Sequence, residues 1–454
     1  MSSFLMTTIW FLIAISILVA IHEYGHFIVA RLCGVKVLRF SIGFCPRLLK
    51  FTGKQGTEFA ISAVPLGGYV KMLDEREMDV DEDEKHLSYN SKRVEKRIAI
   101  AAAGPLANVL LAFVLYWAIF LNGTTALSPE IGMVKPGSLA AQAGLAQGQE
   151  IVSVDGVATH SRRDVALALI NRLGESGDIA ITTKYPNEAG DQYQYNSVVR
   201  IDSWLRGTEE PDPLSELGIE FFTPASHTEV LAVGPESRAE AAGFIKGDRF
   251  LVIDGQIVTT GEDWVSVVEA NPDTVLDVLV DRNGVELALR LKPEPVTVGG
   301  KIIGRAGVSI ARDPYPSSMV RRQEYSILEA SIEGAVETYE TIGFVFLSLK
   351  KLVVGEISIK NLSGPIGIAK VAADQAQYGF WAFISFLAHV SVVLAVLNML
   401  PVPVLDGGHI LFCVVEWVKG SPLSERVQLL GFKAGMALLL SVMVVAFYND
   451  ILRL

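Results

Sequence analysis

Cysteine is scarce in this chain: three among 454 residues, at Cys33, Cys45 and Cys413, leaving the long middle region empty. No Cys-x-x-Cys pair occurs, so neither a disulfide framework nor a thiolate metal knuckle is implied. Basic charge is in deficit, with 39 Lys and Arg against 50 Asp and Glu and a formal net charge of −11. That balance argues against nucleic acid as the main partner. The N-terminal apolar stretch lacks a basic n-region and a small-x-small cleavage site, so it reads as a retained helix rather than a signal peptide.

Apolar residues are abundant: half of the chain is hydrophobic, and mean hydropathy is +0.37. That is high for a soluble protein and low for one wholly in a membrane. A length of 454 residues accommodates two or three domains of mixed character. Four runs are long enough to span a bilayer: Phe4 to about Ala30, Ile98–Leu121, about Phe380–Leu400, and about Val427–Tyr448. Thirteen Lys and Arg lie between the first two runs and none precedes the first. The positive-inside rule therefore puts the 33–97 loop in the cytoplasm and both termini outside. The segment between the second and third runs is then extracytoplasmic too.

Within the first run, His22-Glu23-Tyr24-Gly25-His26 forms an H-E-x-x-H motif. On a continuous helix the two imidazoles sit one turn apart on one face, the spacing that lets them share a tetrahedral Zn2+ beside a glutamate general base. The motif alone is weak, since paired histidines at a membrane boundary also serve as interfacial side chains. Ionisable residues in an apolar helix nevertheless read as functional by default.

The middle of the chain repeats itself. Val134 through Gly156 matches Val233 through Gly255 at a constant offset of 99 residues, with identities at Pro136/Pro235, Ser138/Ser237, Ala140/Ala239, Gly144/Gly243, Gly148/Gly247 and Asp155/Asp254. Each copy reads as short helix, glycine turn, strand and Asp-Gly hairpin turn. The pattern resembles PDZ domains of the circularly permuted bacterial type, placed at 126–222 and 223–312. That likeness implies peptide binding by strand addition, with released peptide C-termini as candidate ligands. Pro293–Pro316 reads as a strand pair and linker. The 320–356 region carries apolar residues at helical spacing, as an amphipathic helix on the membrane, against the repeats, or in an ordinary core.

A catalytic zinc site needs a third protein ligand. His86 belongs to an acidic loop, and His160 and His227 fall on the opposite side of the bilayer. His389, Asp406 and His409 remain. The stretch from Asn398 to His409 carries Pro401 and Pro403, which a continuous helix cannot accommodate, so the 379–410 span must unwind there.

HEYGH in a first span, with N-x-x-P-x-P-x-L-D-G from Asn398 to Gly407 in a later one, resembles the site-2 protease family of intramembrane metalloproteases. Arg39–Phe44, Pro65–Met72, Ala103-Gly104-Pro105 and Asn361–Pro365 match the same family, so the likeness covers essentially the whole chain. It implies a polytopic α-helical membrane protein with four transmembrane helices (1–32, 98–121, 379–410, 427–448), a reentrant β-hairpin within 33–97, and two tandem extracytoplasmic PDZ domains. By the same likeness, His22, His26 and Asp406 are zinc ligands and Glu23 the general base. Asn398, Pro401, Pro403, Gly67 and Gly68 handle substrate. His389 is then a polar contact inside the bundle and His409 a neighbour of the site. The activity implied is cleavage of single-pass membrane proteins such as anti-sigma factors, and of remnant signal peptides, in regulated intramembrane proteolysis. The setting would be the bacterial inner membrane under stress, with termini and PDZ pair periplasmic and the active site toward the cytoplasm. The chain departs from the family at Gly43-Phe44-Cys45, where Gly-x-Gly is usual. A non-catalytic PDZ scaffold with structural zinc is the alternative, weakened because no Cys pair is suitably placed.

Overall fold

A computed structural model describes residues 2–76, 78–186, 193–298 and 301–453. It divides into two compact units, Met1–Thr124 with Arg322–Leu454, and Thr125–Arg321.

The first unit is built on long apolar helices. Leu5–Leu32, Val94–Leu121, Phe380–Met399 and Glu425–Leu452 are each long and apolar enough to cross a membrane. The first helix, Ser2–Leu32, lies against the second, Val94–Leu121, at very close range. A Cβ on Gly25 would stand 2.3 Å from the Ala103 carbonyl oxygen and 2.7 Å from the Ala107 methyl. Glycine is required there by backbone approach.

Between these helices Val37–Thr52 and Glu58–Met72 form a hairpin. It is folded over itself: Arg39–Ile42 pairs with Gly68–Lys71 and also with Glu58–Ile61, which in turn meets Leu49–Thr52. Gly43, at φ +89°, turns the first strand where any side chain would be strained. Phe40 and Phe59 pack edge-on against Phe27 and so fasten the hairpin to the first helix. Only the backbone of Cys45 is described, so the consequence of its side chain lies outside the described residues.

Of the roles open to the 320–356 region, the structure supports packing within the helical unit. Helix Ile327–Val354 starts at a Ser326/Glu329 capping box and ends at Gly355 in the left-handed region. It lies along the second helix, where a Cβ on Gly334 would come 2.9 Å from the Trp117 amide nitrogen, and Tyr116, Val345, Ala388 and Val392 share one core. A further helix, Pro365–Tyr378, had no counterpart in the sequence reading.

The third span fills its apolar run but stops short of the expected 379–410. The helix stops at Met399, Leu400 turns extended (φ −64°, ψ 144°), and a separate helix begins at Asp406 and runs to Lys419. Pro401 disfavours helical backbone at Leu400, and Pro401 and Pro403 both lack the N–H a helix needs.

In the second unit the sequence repeat is a structural repeat. Ile131–Val134, Leu139–Gln142, Glu150–Val154, Arg162–Ile170 and Gly177–Lys184 recur as Ser226–Val233, Arg238–Ala242, Arg249–Ile253, Gly261–Ala270 and Leu276–Arg282. Asp155-Gly156 and Asp254-Gly255 all have positive φ, the two-residue hairpin turn expected of Asp-Gly. Each copy has its own core, one around Ile151, Ile179 and Trp204, the other around Phe250, Val278 and Trp264. The second copy's sheet runs Val285–Leu291, Leu276–Arg282, Arg249–Ile253, Ser226–Val233, Val308–Arg312. The last of these strands lies in the stretch read as strand pair and linker and within the expected 223–312 bounds; its pairing with Ser226–Val233 was not expected.

Candidate metal centre

Continuity of the first helix puts His22 and His26 on the face turned to the second helix, both about 9% exposed. Their Nε2 atoms lie 3.3 Å apart. The closeness depends on Gly104 of the second helix: a Cβ there would meet His26 Nε2 at 2.3 Å and His22 Cε1 at 2.8 Å. His26 Nδ1 donates to the Ile100 carbonyl at 2.7 Å. A carbonyl only accepts, so a proton sits on Nδ1, and in the neutral ring Nε2 is the nitrogen with the lone pair.

The break after Met399 delivers Asp406 to the same point. Gly407 and Gly408 let the new helix fold back on the break; a Cβ at either would come within 2.3 Å of the Met399 or Val402 carbonyl oxygen. Arg97 pairs with Glu416 and ties that helix to the start of the second. Asp406 Oδ2 is 3.1 Å from His22 Nε2, and Oδ1 is 3.4 Å from His26 Nε2. Asp406 Oδ2 is buried without a hydrogen-bond partner. One donor atom from each of the three residues falls within 4.8 Å of the others. Two imidazole nitrogens and a carboxylate converging there suit a borderline divalent ion such as zinc.

A cavity of about 400 Å³ opens beside them, lined by Glu23, Gly68, Lys71, Arg76, Tyr89 and His409 among others. Glu23 faces it from the same helix turn as His22. The hairpin closes on Glu23 so tightly that a Cβ on Gly68 would lie 2.9 Å from Glu23 Cγ. Burial pushes the Tyr89 phenol well above its usual range, so that wall keeps a neutral hydroxyl.

His22, Glu23, His26, Asp406 and Gly68 thus come together. The other expected substrate contacts do not line this cavity. Gly67 holds φ +153° against the Phe44 ring, with room for no Cβ. Asn398 is half-buried in the last turn of its helix and Pro401 is exposed in the break. Pro403 lines a neighbouring cavity of about 500 Å³ with Arg76, His409, Phe412 and Leu429. His389, expected inside the bundle, lies on an exposed face of its helix. Two contributors escaped sequence reasoning. One is the Ile100 carbonyl, which no side-chain pattern could mark. The other is Asn108, fully buried with its amide 3.3 Å from His22 Nδ1. Its signal was available: it is the one amide in the apolar run from Ile98 to Leu121.

Paired histidines, a carboxylate from a broken helix and a glutamate at the same cavity are the residue types a metallopeptidase centre requires. Residues 10–442 match the model of peptidase family M50. The chain belongs to that family, the site-2 proteases, and is a metalloendopeptidase of that type. It is 39% identical over the full length of both chains to the "Regulator of sigma-E protease RseP" of Escherichia coli K12, and 39% identical, again over both full lengths, to a "Putative zinc metalloprotease" of Vibrio cholerae serotype O1. A solved PDZ domain of an SdrC-like protein from Listeria monocytogenes is 12% identical, covering 20% of this chain and 92% of its own, with a TM-score of 0.16, a superposition too weak to carry weight.

Proposed function

We propose that this chain is a zinc-dependent intramembrane endopeptidase. His22, His26 and Asp406 hold the ion, and Glu23 carries the proton. The observation that supports this most is the convergence of two histidines and a distant aspartate within 4.8 Å, beside a cavity that Glu23 also lines. A zinc ion held by His22, His26 and Asp406 would supply Lewis-acid chemistry, polarising the scissile carbonyl and acidifying a water. Glu23 takes that water's proton and returns it to the leaving amine. Ile100 keeps the His26 donor nitrogen aimed into the cavity, and Gly68 keeps the hairpin backbone against Glu23. An intact helix shields its carbonyls by internal hydrogen bonding, so a helical substrate must unwind first. We assign the Gly67-Gly68 edge of the hairpin to holding the extended form by strand addition, with Asn398, Pro401 and Pro403 shaping its approach.

The substrates we propose are single-pass membrane proteins of the anti-sigma-factor type and remnant signal peptides. The relatives named for sigma-E regulation support the first class. The two repeated modules are read as PDZ domains that screen substrates for bulky outer domains or bind released C-termini. The setting is the bacterial inner membrane, with the modules and both termini periplasmic and the centre toward the cytoplasm. A scaffold with structural zinc fits less well, because structural sites have four protein ligands, whereas this cluster offers three beside an open cavity.

Glu23→Gln tests the proposal: zinc should stay bound while cleavage of a model single-span substrate disappears. Full cleavage by that variant would reject Glu23 as the base.

A further inference from the structure

The second helix meets the two histidines in different ways. His26 Nδ1 is held by a backbone carbonyl, Ile100, whose chemistry dictates the tautomer. His22 Nδ1 faces a side-chain amide, Asn108, which can donate or accept. Ile100, Gly104 and Asn108 recur every fourth residue and form one stripe along the helix. The outer two reach the imidazoles, and the middle one leaves room for both rings.

Asn108 is built into its position. It is fully buried, and its backbone carbonyl accepts from the Ser391 hydroxyl at 2.8 Å, a serine itself fully buried on the Phe380–Met399 helix. As placed, its amide nitrogen faces His22 Nδ1 at 3.3 Å and its amide oxygen is buried with no partner. A half-turn of the amide plane exchanges the two atoms without moving anything else, and the two orientations are told apart by hydrogen bonding. With nitrogen toward the ring, Nδ1 must accept, which puts the imidazole proton on Nε2, the atom facing Asp406 and His26. With oxygen toward the ring, Nδ1–H donates to it, the orphaned oxygen gains its partner, and Nε2 is free. The flip puts the amide nitrogen where the oxygen was, so pairing alone does not choose between the orientations; an ion on Nε2 does, because it requires the proton on Nδ1 and an acceptor facing it.

We infer that Asn108 is a positioning residue for the metal centre: its carboxamide oxygen accepts from His22 Nδ1–H and fixes the tautomer that leaves Nε2 for the ion. This deepens the zinc reading above and rests on it. The two histidines are then oriented by one helix through two different acceptors, with a side chain at position 108 doing what the main chain does at position 100. The role differs from packing, because it asks for an acceptor rather than for volume.

The test compares Asn108→Asp, which keeps an acceptor, with Asn108→Leu, which keeps the volume and removes it. Zinc affinity of the full-length chain in detergent is measured by chelator competition, alongside thermal midpoints. Asn108→Leu should weaken zinc binding on the order of 10–100-fold, the range for removing an orienting partner of a metal-bound histidine. Asn108→Asp should hold affinity at or above the wild-type value. Equal losses in both variants, or none in either, would overturn the inference. A 15N-histidine spectrum of the zinc-loaded wild type needs no substitution: a proton on His22 Nδ1 supports the inference, and one on Nε2 overturns it. Failure of the zinc reading itself would look different, with His22→Ala and Asp406→Ala both retaining full zinc stoichiometry.

Discussion

Gly104→Ala is the smallest change that should disable the metal centre. The added methyl would sit 2.3 Å from His26 Nε2, 2.7 Å from His26 Cε1 and 2.8 Å from His22 Cε1. Restoring ordinary van der Waals separation means moving the His26 ring by roughly 1 Å or pushing the helices apart. The first route breaks the 2.7 Å bond to the Ile100 carbonyl; the second loosens the Gly25–Ala103 crossing. Overpacking of this kind costs about 1–3 kcal/mol of stability. Metal–ligand distances tolerate only about 0.2 Å, so zinc affinity should fall on the order of 10–100-fold, at about 1.4 kcal/mol per tenfold. Gly343→Ala is the matched control, because no atom lies within 4 Å of the position its Cβ would take in helix Ile327–Val354. It should leave zinc binding unchanged and stability level or up by about 1 kcal/mol through helix propensity. Both variants are assayed by chelator competition, thermal midpoint and cleavage of a single-span substrate. Wild-type zinc affinity and activity in Gly104→Ala would refute the geometric account of the site.

Further outcomes follow from three other contacts. Asp248, its side chain wholly buried, accepts from Arg282 at 2.7 and 2.8 Å and from the Ile245 amide. Burial pushes its carboxyl upward, but the Arg282 hydrogen bonds, the Ile245 amide and the guanidinium charge together hold it below its ordinary value. A depressed folded pKa contributes stability above the unfolded value of about 3.9, and that stability is lost as pH falls below it. Hydrogen exchange in strand Arg249–Ile253 should therefore accelerate below about pH 4, and Asp248→Asn should cost about 2 kcal/mol at pH 7 and flatten the pH dependence. Asp450, 3% exposed near the end of the last helix, accepts from the Gly364, Ile366 and Gly367 amides at 2.9, 2.9 and 3.0 Å. Asp450→Ala should cost about 3 kcal/mol and expose the 355–365 segment to limited proteolysis, while unchanged protection there would contradict its anchoring role. Gly68→Ala, which drives a methyl against Glu23, should lower kcat with zinc content intact; a change confined to KM would count against close packing at the base.

Elements whose physics is local were legible in the sequence. Long apolar runs marked the four membrane-length helices, Asp-Gly marked the hairpin turn of each module, and Pro401 with Pro403 marked the break before Asp406. The constant offset of 99 residues marked the duplicated module, down to matching strands and helices. What depends on contact between distant segments was not legible. The hairpin's fold over itself, the strand Val308–Arg312 closing the second module and the helix Pro365–Tyr378 docked on Asp450 are decided by partners far along the chain. At the site the same division holds. His22, Glu23 and His26 follow from helical spacing, whereas Asp406 was one of three open candidates until family resemblance singled it out. Gly104 and the Ile100 carbonyl act through backbone proximity, which leaves no side-chain signature.

X-ray absorption at the zinc edge of the full-length protein, with Asp406→Ala measured in parallel, tests the central claim most directly. The account predicts a first shell of nitrogen and oxygen only, near 2.0–2.1 Å, with two imidazole scattering patterns and no sulfur, and a loss of zinc or of one oxygen scatterer in the variant. A sulfur scatterer near 2.3 Å, or an identical shell and full zinc content in Asp406→Ala, would contradict it.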